Sequence, residues 1–192
     1  MDTRKGRLFV LVGPSGVGKG TLRTNALSDI EDLTYSISCT TRQPREGERD
    51  GVEYHFVTER DFEDRIANGL FLEHAVVHGN RYGTLLKNVE RETEAGRDVL
   101  LEIDVQGARQ VREVLPESVL IFIAPPSLDE LEKRLRCRKT ESEDKIAIRL
   151  ENAKKEMALS PEYDRVIVND DLEQACKELH DLILSYRKNR KK

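Results

Sequence analysis

The chain has 192 residues, which is enough for one domain with a sizeable hydrophobic core. Charged residues make up 35% of it and the formal net charge is −4, so no general basic field would draw it to nucleic acid. No apolar run approaches the ~20 residues that cross a membrane, and the N-terminal residues lack an apolar signal segment. We therefore expect a cytoplasmic protein with no membrane and no nucleic-acid partner.

The cysteines and histidines give no sign of a zinc site or a disulfide framework. The three cysteines are Cys39, Cys137 and Cys176, none of them in a C-x-x-C pair, and the four histidines are scattered. This pattern indicates reduced thiols.

A glycine-rich segment near the N-terminus carries the strongest motif. Residues 13–21 read GPSGVGKGT, follow the apolar run Leu8–Val12 and precede a helix expected over 21–27. Strand, glycine-rich loop and helix are the context of a phosphate-binding P-loop, whose backbone N–H groups and helix N-terminus attract anions. Lys19 would reach the outer phosphates of a nucleoside triphosphate. The competing interpretation is a glycine-rich turn without a ligand.

One position departs from the strict P-loop motif. Gly20 stands where G-x-x-x-x-G-K-[ST] has a hydroxyl residue, and Thr21 comes one residue late. Direct magnesium ligation by that side chain is therefore impossible.

The rest of the chain alternates strands and helices, which predicts an α/β fold with a mainly parallel central sheet flanked by helices. Strands are expected over 33–38, 51–57, 70–77, 99–104, 119–123 and 166–168. Residues 79–84 are predicted to form a glycine-flanked turn before a helix that ends near 95. Further helices are expected over 58–69, over 105–114 and over 172–186. Between the last two, one helix is expected to begin after residue 127 and another to end at about residue 160. Residues 38–88 form an inserted α+β segment.

Cations and one acid stand out for phosphoryl chemistry. Transfer of a phosphoryl group depends mostly on positioning and on neutralising charge. The candidate cations outside the P-loop are Arg42, Arg45, Arg134, Arg138 and Arg149. A single arginine is more often a solvated surface charge, and the joint pattern beside a P-loop is what favours phosphate contacts. Asp104 ends an apolar strand, as acids that face a bound cation do, so it is a candidate Mg²⁺ ligand through water.

These motifs together resemble the guanylate kinase family, in the nucleoside monophosphate kinase group of P-loop proteins. The similarity runs from about residue 6 to 186, and the segment 38–48 is its most specific part. The matching stretches are GPSGVGK at 13–19, SCTTRQPREGE at 38–48, YHF at 54–56, Glu73, YGT at 82–84, IDVQG at 103–107 and VIVNDDL at 166–172.

The resemblance implies one domain with a P-loop nucleoside-triphosphate-hydrolase-type fold. It implies a core of about 6–37, 89–126 and 161–192, a GMP-binding segment of about 38–88 and a helical lid of about 127–160. The implied reaction moves the γ-phosphoryl group of ATP to GMP, and to dGMP as well, with Mg²⁺, in purine nucleotide synthesis and GMP recycling. A homo-oligomer is left open.

The resemblance also implies roles for individual residues. Implied GMP contacts are Arg42, Arg45, Tyr54 and Tyr82 at the phosphate, Ser38, Glu73 and Thr84 at guanine, and Asp104. Implied ATP contacts are Gly13, Pro14, Ser15, Gly16, Val17, Gly18, Lys19, Gly20, Thr21 and, near adenine, Asn169. Implied catalytic residues are Lys19, Arg42, Arg134, Arg138 and Arg149. Relative to the family, Gly20 and Cys39 replace serines, while Cys137 and Lys139 stand where the lid often has glycines.

Residue chemistry supports guanine as the base. A carboxylate such as Glu73 suits the adjacent N1–H and N2–H donors of guanine, and hydroxyls suit O6. Adenine presents mismatched groups, and such a site can reject the wrong base by roughly 10⁴-fold. Two alternatives remain: a kinase for another nucleoside monophosphate, chiefly AMP, and a non-catalytic guanylate-kinase-like binding module. Glu73 could also be a surface acid at a strand edge, Ser38 and Thr84 turn hydroxyls, and the tyrosines core aromatics.

Overall fold

The computed structural model describes residues 5–77, 79–137 and 142–189. Their elements, in chain order, are β1 Leu8–Val12, α1 Lys19–Asp29, β2 Leu33–Tyr35, β3 Cys39–Thr40, β4 His55–Phe56, α2 Glu59–Ala67, β5 Phe71–Val77, β6 Asn80–Leu85, α3 Leu86–Glu94, β7 Asp98–Glu102, α4 Val105–Val114, β8 Val119–Ala124, α5 Leu128–Cys137, α6 Glu143–Ala158, a 3₁₀ turn Ser160–Glu162, β9 Arg165–Val168 and α7 Leu172–Asn189. The chain forms two compact units. The first unit contains the described residues up to Leu8 and Asp32–Ser118, and the second contains Phe9–Glu31 and the described residues from Val119 onward.

The second unit is built on parallel strands. β8 pairs with β1 on one side and with β9 on the other, with Val10 opposite Leu120 and Ile123 opposite Ile167. Every residue of β1 and of β8 is buried, as expected for parallel strands covered on both faces. Helices α1 and α7 pack against each other, and Tyr186 of α7 meets Phe9 edge to face.

Helices α5 and α6 pack together in the same unit. Their shared core consists of Leu131, Leu135, Ile146 and Ala153, with Leu128 and Leu150 at its margin. Ser127 Oγ accepts a hydrogen bond from the backbone N–H of Glu130, which confirms the predicted helix start there.

The first unit holds a parallel strand pair and a second sheet. β2 pairs with β7 in parallel, with Leu33 opposite Asp98. The second sheet has four strands in the order β4-β3-β6-β5, in which β6 runs antiparallel to both of its neighbours. Helix α4 packs against β5, and α3 contacts β5, β6 and β7. The GMP-binding segment predicted for 38–88 falls within this unit.

Two local predictions were wrong. Residues 80–85 form strand β6, because pairing on both edges outweighs their weak strand pattern. The Phe71 ring explains Gly83 within that strand, since a Cβ there would come within 2.9 Å of its carbons. The strand predicted for 51–57 shrinks to His55–Phe56, because Gly51 adopts a φ of 75° in a turn before it.

The predicted division of the chain and part of the predicted lid are not tested by the structure. The division into core, GMP-binding segment and lid stays a prediction, and Arg138 and Lys139 lie outside the described residues. Within the part of the chain that is described, no helix is long and apolar enough to cross a membrane.

Candidate active site

The P-loop is shaped by close packing of its glycines. Gly13 has a φ of 146°, and a Cβ there would lie 2.2 Å from the carbonyl oxygen of Ile123 in β8. Gly18 adopts the left-handed conformation as the N-cap of α1, and a Cβ there would lie 2.5 Å from Nδ2 of Asn169. Residues with side chains would strain both positions. The loop between β1 and α1 therefore depends on positive φ angles, at Gly13, Gly16 and Gly18, that glycine adopts readily.

Lys19 begins α1 and folds back over the loop. Its Nζ donates hydrogen bonds to the carbonyl oxygens of Gly13, at 2.6 Å, and Pro14, at 3.2 Å. These contacts hold the ammonium group at the mouth of the loop, where bound phosphate oxygens would compete for it.

Asn169 follows β9 and joins it to the P-loop. Its side chain is buried, and Nδ2 donates to the carbonyl oxygen of Val17 at 2.7 Å. The predicted position near adenine stays a prediction, but the structure assigns the amide a supporting contact that the sequence did not reveal.

Two of the predicted lid arginines lie in this neighbourhood. Arg134 Nη1 donates to the carbonyl oxygen of Asn169 at 2.8 Å, and its Nε pairs with Glu130 at 3.1 Å. Arg149 donates to Ser15 Oγ in the P-loop. The structure thus brings α5 and α6 cations to the loop, while Arg138 lies outside the described residues.

The first unit contains a buried cluster of a carboxylate and hydroxyls. Glu73 in β5 is only 3% exposed, so it is no surface acid at a strand edge. Thr84 Oγ1 in β6 donates to Glu73 Oε1 at 2.6 Å, and Ser38 Oγ lies 3.5 Å from Thr84 Oγ1. The structure therefore brings these three residues together as one buried polar group, and their contact with a base stays a prediction.

Burial controls the protonation of this cluster. Desolvation raises the pKa of Glu73 to about 7, with a smaller contribution from the negative charge of Asp104, while hydrogen bonds from Thr84 oppose the rise. A ligand that donates two hydrogen bonds to the carboxylate would favour its charged form.

Arg42 lies among acceptors and aromatic rings. It forms two 2.9 Å hydrogen bonds with the carboxylate of Glu48, and its guanidinium carbon lies 5.4 Å from the Tyr54 ring centre and 5.8 Å from that of Phe56. Hydrogen bonding to Glu48 and then to Tyr82 raises the pKa of Arg42, against the effect of burial. Its buried Nε has no hydrogen-bond partner among the described residues, and an anionic oxygen would satisfy that donor.

The other predicted phosphate ligands differ in how they are placed. The rings of Tyr54 and Tyr82 meet edge to face at 5.8 Å. Burial, with nearby Tyr35, Glu102 and Tyr82, raises the pKa of Tyr54 to about 12, so its hydroxyl stays a donor. The backbone N–H of Arg45 donates to Glu48 Oε2 at 2.7 Å.

Glu48, at the end of the family-like stretch 38–48, has a role that the sequence did not predict. It holds Arg42 and the backbone of Arg45 together, which fixes the loop between them. An acid six residues after an arginine in a loop rich in turn residues was the available signal.

Asp104 caps a helix. Its Oδ1 accepts from the backbone N–H of Gly107 at 2.8 Å, which satisfies a free donor in the first turn of α4. Among the residues that the structure describes, no group of three or more His, Cys, Asp or Glu side chains could hold a metal ion. A role of Asp104 toward Mg²⁺ stays a prediction.

The fold and these clusters define a P-loop α/β protein with a parallel central sheet flanked by helices. A sequence model of the guanylate kinase family matches residues 5–186, so the chain belongs to the guanylate kinase family.

Individual relatives agree with that assignment. The chain is 50% identical over 185 residues to a guanylate kinase of Nocardia farcinica, covering 95% of this chain and 96% of the relative. It is 49% identical over 178 residues to one of Fusobacterium nucleatum, with coverages of 93% and 96%. The crystal structure of guanylate kinase from Anaplasma phagocytophilum superposes with a TM-score of 0.79 at 35% identity, covering 95% of this chain and 87% of that one.

Proposed function

We propose that this protein is an ATP:GMP phosphotransferase, which converts ATP and GMP into ADP and GDP and accepts dGMP as well. The observation that carries this function is the buried cluster of Glu73, Thr84 and Ser38 in a chain of the guanylate kinase family. We place the reaction in purine nucleotide synthesis and GMP recycling, and the cytoplasmic location expected from the sequence stays a prediction.

The acceptor site reads both ends of GMP. Glu73 would accept from N1–H and N2–H of guanine. The hydroxyls of Ser38 and Thr84 would serve O6, for which Thr84 would turn its one O–H from Glu73 Oε1 to the base. Arg42, Arg45, Tyr54 and Tyr82 would bind the phosphate. The Nε of Arg42, which has no partner within the described part of the chain, supports that role. Adenine offers an acceptor where guanine offers N1–H, so AMP would leave the buried carboxylate without its donors.

The donor site holds the polyphosphate of ATP. The N–H groups of residues 13–21 would bind phosphate oxygens, and Lys19 would exchange its carbonyl partners for them. Arg134 and Arg149 would neutralise charge on the transferred group, which is the main task in phosphoryl transfer. No covalent intermediate is required, because the residues position reactants and stabilise charge.

Magnesium fits this chain in a restricted way. Gly20 supplies no side-chain oxygen ligand, so the metal would be held by nucleotide phosphates and water, with Asp104 as the candidate protein carboxylate. When bound, Mg²⁺ would offset negative charge on the phosphates.

A substrate panel tests the proposal. ADP release is measured with ATP and each of GMP, dGMP, AMP, UMP and CMP. We expect a kcat/KM for GMP roughly 10⁴-fold above that for AMP, because the buried carboxylate is mismatched to adenine. Comparable values for GMP and AMP would favour the kinase for another monophosphate. Nucleotide binding without turnover would favour the non-catalytic module.

A further inference from the structure

The strand that carries Glu73 is irregular at that residue. Phe71 pairs with Leu85 and Glu73 pairs with Thr84, so β5 contains one extra residue between these pairs. Such a bulge turns the following side chains relative to a regular strand. Glu73 therefore needs a second restraint if its carboxylate is to keep one orientation.

That restraint comes from Gln110 on α4. Its Nε2 donates to the carbonyl oxygen of His74 at 2.8 Å, and its Oε1 accepts from the backbone N–H of His74 at 3.0 Å. The side-chain amide thus satisfies both backbone groups of the residue next to Glu73. A neighbouring strand would make the same pair of contacts.

Gly107, one helical turn earlier, makes room for the carboxylate. A Cβ at this position would lie 2.4 Å from Glu73 Oε2 and 3.1 Å from its carboxyl carbon. Glycine in a helix costs about 0.5–1 kcal/mol relative to alanine. The space for Glu73 is the physical reason for glycine at this site.

We propose that Gly107 and Gln110 are positioning residues for guanine specificity, which act by holding the carboxylate of Glu73 against α4. Neither residue was predicted to contact a nucleotide. The inference rests on the proposed reading of guanine by Glu73. It adds that α4 sets the orientation of the carboxylate toward its two donors.

Gln110→Met tests the proposal, because methionine keeps the length of the side chain and removes both hydrogen bonds. We expect KM for GMP to rise about tenfold, from the loss of two hydrogen bonds, while kcat and KM for ATP stay unchanged. Gln174→Met is the matched control, since Gln174 is exposed on α7 in the other unit. Melting temperatures identify any variant that is merely unstable.

Inosine monophosphate separates positioning from a general structural effect. It lacks the 2-amino group of guanine and so offers the carboxylate one donor fewer. In Gln110→Met the ratio of kcat/KM for GMP to that for inosine monophosphate should fall several-fold. An equal loss on both substrates, or no loss on either, would overturn the role of Gln110.

Gly107→Ala gives an independent test through sterics. The added methyl group must displace Oε2, so we expect at least a tenfold loss in kcat/KM for GMP and the same fall in the substrate ratio. Glu73→Gln distinguishes the two levels of the hypothesis. If the ratio of kcat/KM for GMP to that for inosine monophosphate is unchanged in Glu73→Gln, Glu73 does not recognise guanine. If this ratio falls in Glu73→Gln but is unchanged in Gly107→Ala and Gln110→Met, only the positioning role is wrong.

Discussion

At the scale of single residues, Glu73 shows how burial turns a common side chain into a selective one. An exposed glutamate would be charged at neutral pH and satisfied by water. In this protein burial raises its pKa to about 7, and Thr84 Oγ1 supplies the 2.6 Å hydrogen bond that fixes one oxygen. Burial removes water from the carboxylate, so a ligand with two donors restores hydrogen bonds that the solvent cannot supply.

This raised pKa predicts a pH dependence of GMP binding. The charged form of Glu73 accepts from guanine, so affinity should fall by up to about tenfold for each pH unit below a pKa of about 7. KM for GMP is measured between pH 6 and 8 in wild type and in Glu73→Gln. The GMP phosphate titrates in the same way with both proteins, so the difference between their two pH profiles isolates the effect of Glu73. Identical profiles in wild type and variant would contradict the prediction.

The same residue predicts a pH dependence of stability. Folding raises the pKa from an ordinary value of 4.5 to about 7, so the protonated form is favoured in the folded state. Its contribution is present below pH 4.5 and is lost as the pH rises through about 7. Urea unfolding should therefore show Glu73→Gln gaining stability relative to wild type across that range. A difference independent of pH would argue against a raised pKa.

Because Gly20 lacks the hydroxyl of the strict motif, we expect the P-loop to bind Mg²⁺ weakly. Gly20→Ser adds the hydroxyl that the strict motif provides, so the Mg²⁺ concentration for half-maximal activity should fall. Gly20→Ala is the matched control, because it adds a Cβ without an oxygen. Equal Mg²⁺ concentrations for half-maximal activity in Gly20→Ser and Gly20→Ala would contradict this expectation.

At the scale of elements, the P-loop and its supports act as one assembly. The loop depends on β8, which leaves no space for a Cβ at Gly13, and on Asn169 after β9, which holds the carbonyl of Val17. Arg134 on α5 reaches the backbone of Asn169, and Arg149 on α6 reaches Ser15. The loop is thus held by groups far apart in sequence.

Lys19→Ala tests the catalytic role of this assembly. Removing the ammonium group should lower kcat by at least about 10²-fold. The reason is that its positive charge no longer offsets the negative charge on the transferred phosphoryl group. GMP affinity, measured by calorimetry, should be unchanged, since the acceptor cluster lies in the first unit. Wild-type turnover in this variant would refute the assignment of Lys19.

At the scale of the whole molecule, the residues proposed for the two nucleotides are divided between the two units. The residues proposed for GMP lie within the first unit, and the described residues proposed for ATP lie within the second. Although the net charge is −4, each unit provides cations locally, Arg42 in one and Lys19 in the other.

This arrangement predicts that each nucleotide stabilises the protein on its own. A ligand at 100 times its Kd adds about 2.7 kcal/mol, which corresponds to roughly 5–10 °C in melting temperature. Thermal melts with GMP or ATP alone should show such shifts. Glu73→Gln should reduce the GMP shift only, and Lys19→Ala the ATP shift only; loss of both shifts in either variant would contradict separate sites.

Local pattern was sufficient for much of the fold. The apolar runs of β1, β7 and β8 and the start of α4 were predictable because burial and helix capping leave signals within a few residues. Strand β6 was missed because its glycine at position 83 weakens the local strand pattern, and because one of its two partners, β3, lies about 40 residues earlier in the sequence.

The P-loop motif, the family resemblance and the residue types available for guanine and phosphate were readable from the order of amino acids alone. The folded chain was needed to show that Glu73 is buried and paired with Thr84, and that Glu48 holds Arg42. It was also needed to show that Gly107 leaves room for the Glu73 carboxylate and that Gln110 bonds the backbone beside it. The physical reason is that a motif specifies chemical groups, whereas their solvation, protonation and orientation depend on which distant side chains surround them.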